Sequence, residues 1–454
     1  MKFSGIGAAA LLAALALAPG AGAQSLTDAL ISAYRHSEQL KSQRALLRST
    51  DEGVAQAVAA RRPSIVASGA ASGTTLPASG TNTLRASLSL ALELTLWDGG
   101  NNDFAVEAAK YSVDAARHNL TATEQTVLLD AVTAFMNMRR DTQFLELAEN
   151  SREVIAQQVQ ASRDRYEVGE ARRTDVSQAE ARLAGALSTL ALRQGNLEIS
   201  REAYFVAIGA YPGELLPPPP LPRLPETLAA AKAIALKTHP AIRAAQASGR
   251  IADMNVLRAE AAMKPTFKLS GSATDSSASL TGDSVSIGIT GSVTLYAGGA
   301  LSSALRQAQA LQQKSRADIQ LAGLTVTQQV TRAWSQLQIA RASITARQKE
   351  VRASRVFLRG VREEASLGAR TTLDVLNAER DLLKAQTDLA AARRDETVAV
   401  YSLLSAMGLL TVKHLKLGIK PYDVDENYNR VSNAPGPTDR GKLLNKILTR
   451  AGKK

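Results

Sequence analysis

The strongest constraint on this chain is that it repeats itself. Val168-Gly169-Glu170-Ala171-Arg172-Arg173-Thr174-Asp175-Val176-Ser177-Gln178-Ala179-Glu180 is matched 199 residues later by Leu367-Gly368-Ala369-Arg370-Thr371-Thr372-Leu373-Asp374-Val375-Leu376-Asn377-Ala378-Glu379. In each copy a Gly interrupts one helical pattern, and Thr followed by an acid opens the next, so each reads as the bend of a helical hairpin. Any fold must therefore house two equivalent hairpins.

Each hairpin is preceded by a pair of alternating segments. Leu84, Ala86, Leu88, Leu90, Leu92, Leu94 and Leu96 alternate without a break with Arg85, Ser87, Ser89, Ala91, Glu93 and Thr95. That period of two predicts a strand with one apolar and one hydrophilic face. Ser64 to Thr74 is its shorter partner, across a loop at 76–82 rich in Pro, Ser and Gly. The second copy spans Thr266 to Thr274 and Ser284 to Leu295, and Val285, Ile287, Ile289, Val293 and Leu295 keep the apolar phase of the first. Trp97-Asp98-Gly99-Gly100 and Tyr296-Ala297-Gly298-Gly299 close the two pairs, again 199 residues apart. Before the strands the offset is 202, as Pro63 and Pro265 show, so the difference falls within the strand pairs.

Helical spacing fills most of the rest. Residues 26 to 62 and Leu228 to Met263 each read as one helix, stopped by Pro63 and Pro265. From Asn101 to Val168 a helical pattern runs with neither Pro nor Gly, about 100 Å of rod at 1.5 Å per residue. Leu301 to Leu367 is its counterpart. The helix after each bend has a heptad seam: Val176, Leu183, Leu190, Leu197 and Tyr204 in the first, and Val375, Leu382, Leu389 and Leu403 with Ala378, Ala385, Ala392, Ala399 and Ala406 in the second, broken at Glu396. Helices 26–62 and 172–208, stacked end to end, would match the rod 101–168 in length.

Aromatic residues make up only 4% of the 454, too few for several conventional cores. Lys2, an apolar run from Ile6 to Leu17 and Ala21-Gly22-Ala23 form a signal-peptide pattern over 1–23, with the mature chain beginning near Gln24. There is no Cys, hence no disulfide and no lipidated cysteine. No later segment has the ~18 consecutive apolar residues of a spanning helix, so a membrane crossing must use strands. Of the net charge of +12, half comes from 411–454; a solvated basic tail explains it better than nucleic acid. The domain reading is thus a first repeat 24–210, a Pro-rich linker 211–226, a second repeat 227–410 and the basic tail 411–454.

Four strands cannot close a barrel, and open edges in lipid strand unpaired N–H and C=O groups at several kcal/mol each. Sister chains are the remedy. The two bends, the paired Gly-Gly turns and the duplication together resemble the TolC family of outer-membrane efflux proteins. The ending Leu417-Gly418-Ile419-Lys420-Pro421-Tyr422-Asp423, with Tyr428, is most similar to the branch serving type I secretion. The resemblance implies a mainly α fold with a β-barrel contribution: a homotrimer with a 12-stranded barrel in outer-membrane lipid and a long α-helical periplasmic tunnel. It implies a periplasmic adaptor and, through it, an inner-membrane transporter as partners. On that likeness Val168, Gly169, Leu367 and Gly368 form the adaptor-docking tip, Asp374 and the departing Asn377 line the periplasmic aperture, and Arg370, Thr174 and Asp175 latch the tip. Ala365 stands where a latch Tyr can occur.

Structural alternatives stand beside these roles. Thr371 with Asp374 also makes a capping box, and Asp175 suits the first turn of a helix. Arg370 reads equally as a solvated bend residue. Trp97 and Tyr296 are either interfacial anchors or packing beneath the strands. His36, His118, His239 and His414 have no ligand spacing and no phosphate-cradling Gly loop occurs, so neither enzyme chemistry nor a cofactor is expected. Two rival architectures share the long rods: a trimeric coiled-coil surface adhesin or stalk, and a soluble periplasmic scaffold.

Overall fold

The computed structural model describes residues 24–76, 81–276 and 284–432. The signal-peptide pattern, the two strand-loop tips and the tail beyond 432 lie outside the described residues. In order, the elements are α1 (Leu26–His36), α2 (Glu38–Ala59), β1 (Ser64–Leu76), β2 (Thr81–Trp97), α3 (Asn101–Glu167), α4 (Arg173–Ile208), α5 (Leu228–Thr238), α6 (Pro240–Ala261), β3 (Thr266–Ser276), β4 (Ser284–Ser292), α7 (Ala300–Ser366), α8 (Thr372–Ala406), α9 (Val412–Leu415) and α10 (Asp425–Val431). The rods α3 and α7 are each 67 residues long.

The first helix of each repeat is broken where one continuous helix was expected. Ser37 sends its own N–H to the Ala33 carbonyl and accepts the Leu40 N–H on its hydroxyl at 3.3 Å, ending one helix and capping the next. His239, 202 residues on, does the same service with Nδ1 accepting the Ala241 N–H at 3.2 Å. Pro240 enforces this second break, because its ring pushes the preceding residue out of helical geometry while suiting the first turn of a new helix. The break is thus duplicated along with the bends and the rods. The strands differ at their ends: β2 begins at Thr81, and β4 stops at Ser292, leaving Val293 and Leu295 exposed beyond it.

The chain divides into two compact units. One comprises the described parts of Met1–Leu40, Thr123–Lys237 and Thr327–Lys420. Its core joins Leu128, Val132 and Phe135 of α3 to Tyr204 of α4, and includes Leu403 and Leu404 of α8, all buried. The Phe135 and Tyr204 rings lie 6.4 Å apart, and the Tyr204 hydroxyl donates to Gln24 Oε1 at 2.8 Å. The small residues of the α8 seam, Ala378, Ala385, Ala392 and Ala399, are all buried, whereas Leu382 and Leu389 are half-buried. Small side chains let the helix axes approach along 378–399, while of the larger seam residues Val375 and Leu403 are buried.

The other unit comprises the described parts of Lys41–Ala122, Thr238–Val326 and Pro421–Lys454. It holds an antiparallel sheet in the order β1-β2-β3-β4. The two repeats meet at the β2–β3 pairing, which leaves β1 and β4 as edges. Residues 421–432 pack in the same unit: Asn427 Nδ2 donates to the buried Asp51 Oδ2 at 2.8 Å, and Arg117 pairs with Asp425 at 2.6 Å while lying over the Tyr428 ring.

Candidate functional site

The bends are built from backbone geometry first. Gly169 has φ +79 and Gly368 φ +78, the left-handed region in which a side chain is strained. In the first bend Gly169 N–H reaches the Tyr166 carbonyl at 3.0 Å and Glu170 N–H the Arg165 carbonyl at 2.8 Å. In the second, Gly368 N–H reaches Ala365 at 3.2 Å and Ala369 N–H reaches Glu364 at 2.9 Å. Both are Schellman endings, which satisfy carbonyls the helix leaves free.

The restarts differ. At the second bend Thr371 Oγ accepts the Asp374 N–H at 3.3 Å, and Asp374 Oδ2 accepts the Thr371 N–H at 3.0 Å and hydroxyl at 2.9 Å, a complete capping box. At the first bend Arg172 occupies the cap position, and a guanidinium has no acceptor. Only the reverse half survives there, Asp175 Oδ2 accepting the Arg172 N–H at 3.1 Å. Thr174 lies exposed in the first turn of α4.

The Thr371 backbone N–H, then its hydroxyl, and more weakly the Arg370 charge hold the Asp374 carboxyl below the ordinary aspartate range, so it stays ionised near neutrality. Arg370 Nε pairs with Glu364 at 2.8 Å within the same bend, and Glu364 with Asp374 stabilises its charged form further. In the protomer it is Glu364, and not Thr174 or Asp175, that holds Arg370. Asn377 accepts a hydrogen bond from Arg182 of α4 at 3.2 Å, which ties the two hairpins together. Beneath it, Val159 of α3, Ala179 of α4 and Leu376 of α8 form one buried cluster. Leu358 and Val361 of α7 with Val375 and Ala378 of α8 form another.

Just above each bend an Arg of the rod pairs with a Glu of the returning helix, Arg163 with Glu180 and Arg362 with Glu379. These pairs are also 199 residues apart, and applying the repeat offset to charged residues would have found them. A cleft of about 390 Å³ between α3, α7 and α8 is bordered by Arg165, Arg362 and Glu379. At the tips themselves Val168 is 71% and Leu367 84% exposed, equivalent apolar residues standing in solvent.

The sheet is the second candidate. Its register places Ile65, Leu92, Gly271 and Ile287 in one row and Ala67, Leu90, Ala273 and Val285 in the next, all on one face. On the other face Ser68, Ser89, Thr274 and Ser284 align, as do Ser64, Glu93, Ser270 and Gly288. Hydroxyl pairs Ser68–Ser89 and Ser272–Ser286, each 2.8 Å, run along that second face. Within the protomer Leu88, Leu90, Ile287 and Ile289 are all exposed, so they are not part of a dry monomeric core.

A bulge between Thr95 and Trp97 puts Trp97 opposite Phe267, ring centroids 6.0 Å apart, while Trp97 stays 46% exposed. Tyr296 is exposed beyond the end of β4. Asp98 carboxylate oxygens take the Gly100 and Asn102 N–H groups at 3.1 and 2.9 Å, starting α3. Ala297 cannot do this at the equivalent turn. Among the described residues no group of His, Asp and Glu is placed to hold a metal ion, and no helix is long and apolar enough to cross a membrane.

The described residues thus form two helical hairpins on one duplicated plan and a four-stranded sheet whose apolar and hydroxyl faces are both exposed in the protomer. The sequence model of the outer membrane efflux protein family matches residues 30–210 and 233–409, and the chain belongs to that family. It is 36% identical over 434 residues to the outer membrane efflux protein BepC of Brucella suis biovar 1 (strain 1330), covering 94% of this chain and 95% of that protein. It is 25% identical over 332 residues to the outer membrane protein TolC of Vibrio cholerae, covering 70% and 76%. Among solved structures, CusC, described in terms of transmembrane channel formation, superposes with a TM-score of 0.75 at 20% identity, over 85% of this chain and 92% of that one. That likeness is one of fold.

Proposed function

We propose that this protein is the outer-membrane channel of a tripartite export system in a Gram-negative cell, a passive conduit through which an inner-membrane transporter and a periplasmic adaptor pass their cargo outward. The observation that carries this reading is the four-stranded sheet, whose apolar and hydroxyl faces are both uncovered and whose edges β1 and β4 are unpaired in the protomer. Three copies joined edge to edge give twelve strands, turn the Leu and Ile rows to lipid and enclose the hydroxyl rows around water. Exposed apolar residues on the helices, among them Leu192, Ile199 and Val206 of α4 and Ile339 and Val356 of α7, support burial against sister chains.

Under this reading the signal segment 1–23 directs export. Repeats 24–210 and 227–410, joined by the linker 211–226, build barrel and tunnel, with the tail 411–454 in the periplasm. Val168, Gly169, Leu367 and Gly368 meet the adaptor. Asp374 supplies a fixed negative charge at the aperture beside Asn377. Arg370 is released from Glu364 to latch onto Thr174 and Asp175 of a neighbouring hairpin when the tip closes. Trp97 and Tyr296 anchor the inner rim of the barrel. The cargo is a secreted protein or a drug; the ending at 417–428 supports the type I secretion branch, and the name of the Brucella relative supports efflux.

The test is purified protein in planar bilayers. Ion conductance from a trimer, with weaker block by multivalent cations in Asp374→Ala, is the expected result. A mature protein that fractionates without detergent as a monomer would end the proposal. Protease cleavage of residues 75 to 83 in intact cells separates the conduit from the adhesin, which would be cut at Gly169 instead.

A further inference from the structure

The hydroxyl face of the sheet carries one feature that neither strand formation nor lipid contact explains. Glu93 of β2 and Lys268 of β3 meet there, Oε1 to Nζ, at 2.6 Å. By register Glu93 lies opposite Ser270 and Lys268 opposite Thr95, so the two reach diagonally across the β2–β3 pairing where the repeats join. The described side chains that flank the pair on that face include Ser64, Val66, Ala91, Thr95, Ser270 and Thr290, none of them charged.

Stability does not account for the pair. Both side chains are about half exposed, and such cross-strand pairs contribute only ~0.2–1 kcal/mol. Nor do the charges guard a sheet edge against unwanted pairing, because β2 and β3 are the two central strands.

We infer that Glu93 and Lys268 form a charge-cancelling pair on the water-facing wall of the pore, one per protomer, which keeps this level of the pore from favouring either sign of permeating charge. The inference rests on the conduit reading above and extends it to permeation. Opposite charges 2.6 Å apart largely cancel beyond a few ångströms. Removing either partner leaves one uncompensated charge in each protomer, repeated by symmetry around a narrow aqueous passage with low-dielectric walls, which focus its field on passing ions. The pair lies four residues from Trp97, toward the end of the sheet from which α3 departs. Cargo of either charge therefore crosses this level without an electrostatic barrier.

The experiment measures reversal potential in planar bilayers under a KCl gradient, in the parent protein and in an Asp374→Ala background where the aperture acid no longer sets selectivity. Lys268→Met is expected to shift the reversal potential in the cation-selective direction and Glu93→Gln in the anion-selective direction. The double variant is expected to return to the parent value. Persistent conductance with no shift from either single variant in both backgrounds overturns the inference while leaving the conduit standing. Absence of conductance from every protein, the parent included, overturns the conduit reading and this one with it.

Because the chain has no Cys, a second measurement is unambiguous. A membrane-impermeant charged thiol reagent is expected to modify Glu93→Cys and to spare Leu90→Cys in the outer membrane. The reverse pattern overturns the assignment of faces.

Discussion

The two classes of glycine in this chain allow one substitution to be dissected into backbone and packing costs. Gly368 has φ +78, and a Cβ added there meets no atom within 4 Å. Gly368→Ala therefore carries only the cost of a left-handed L-residue, about 1–2 kcal/mol. A stiffer unfolded chain offsets about 0.4–1 kcal/mol of that. The net is about 1 kcal/mol, or roughly fivefold in local opening.

Gly99 has φ +72, but its Cβ would stand 2.9 Å from Lys264 Cβ and 3.0 Å from the Ala261 carbonyl oxygen. The same backbone strain is joined there by overpacking of about 1–3 kcal/mol. Gly99→Ala should open its turn considerably more than Gly368→Ala opens the bend. Hydrogen exchange on peptides covering each turn reads this directly, since the Ala369 N–H is protected by its 2.9 Å bond to the Glu364 carbonyl. Gly368→Asn separates the terms further, because Asn tolerates the left-handed region and should exchange close to the parent rate. Equal effects at Gly368 and Gly99, or an Asn variant as disturbed as Ala, would refute the reasoning.

Four further outcomes are expected. Thr371→Val removes both hydroxyl contacts to Asp374 and should speed exchange at the start of α8; since the folded carboxyl is depressed, the parent's advantage is full above the ordinary aspartate pKa and shrinks as pH falls toward the lowered value. Asp51 is buried beside Asn427, and burial pushes its carboxyl up more than the Asn427 hydrogen bond and Arg117 pull it down, so the attachment of 421–432 should weaken as pH rises through the raised value; Asp51→Asn should remove that pH dependence in limited proteolysis. Ala179→Leu overfills the α3–α4–α8 cluster and should cost about 1–3 kcal/mol in thermal unfolding, whereas Gly185→Ala on the exposed side of α4, with nothing within 4 Å of the new methyl, should gain about 0.5–1 kcal/mol.

Much of this architecture is legible without coordinates because it depends on neighbours along the chain. Alternation in 84–96 announces a two-faced strand, and the Gly-to-acid sequence announces each bend, since both are local periodicities. The break at Ser37 is hidden because Ser interrupts no apolar period, and the matching break is missed as well: 228–263 reads as one helix because its apolar spacing runs across Pro240, the one signal that, with the offset of 202, would place both breaks. The early end of β4 is likewise hidden: Val293 and Leu295 keep the apolar phase, but β3 pairs no further than Ser292.

What the residues alone determine here is the list of parts: two rods of equal length, two bends, and two strand pairs with one apolar face each. The tertiary structure decides who meets whom. It joins the repeats through β2 and β3, gives Arg370 to Glu364 and Asn377 to Arg182, and sets Lys268 against Glu93. Periodicity records which face of a segment avoids water, and it repeats often enough to be read. A partner across 175 or 195 residues is selected once, by where the backbone happens to bring two side chains within reach.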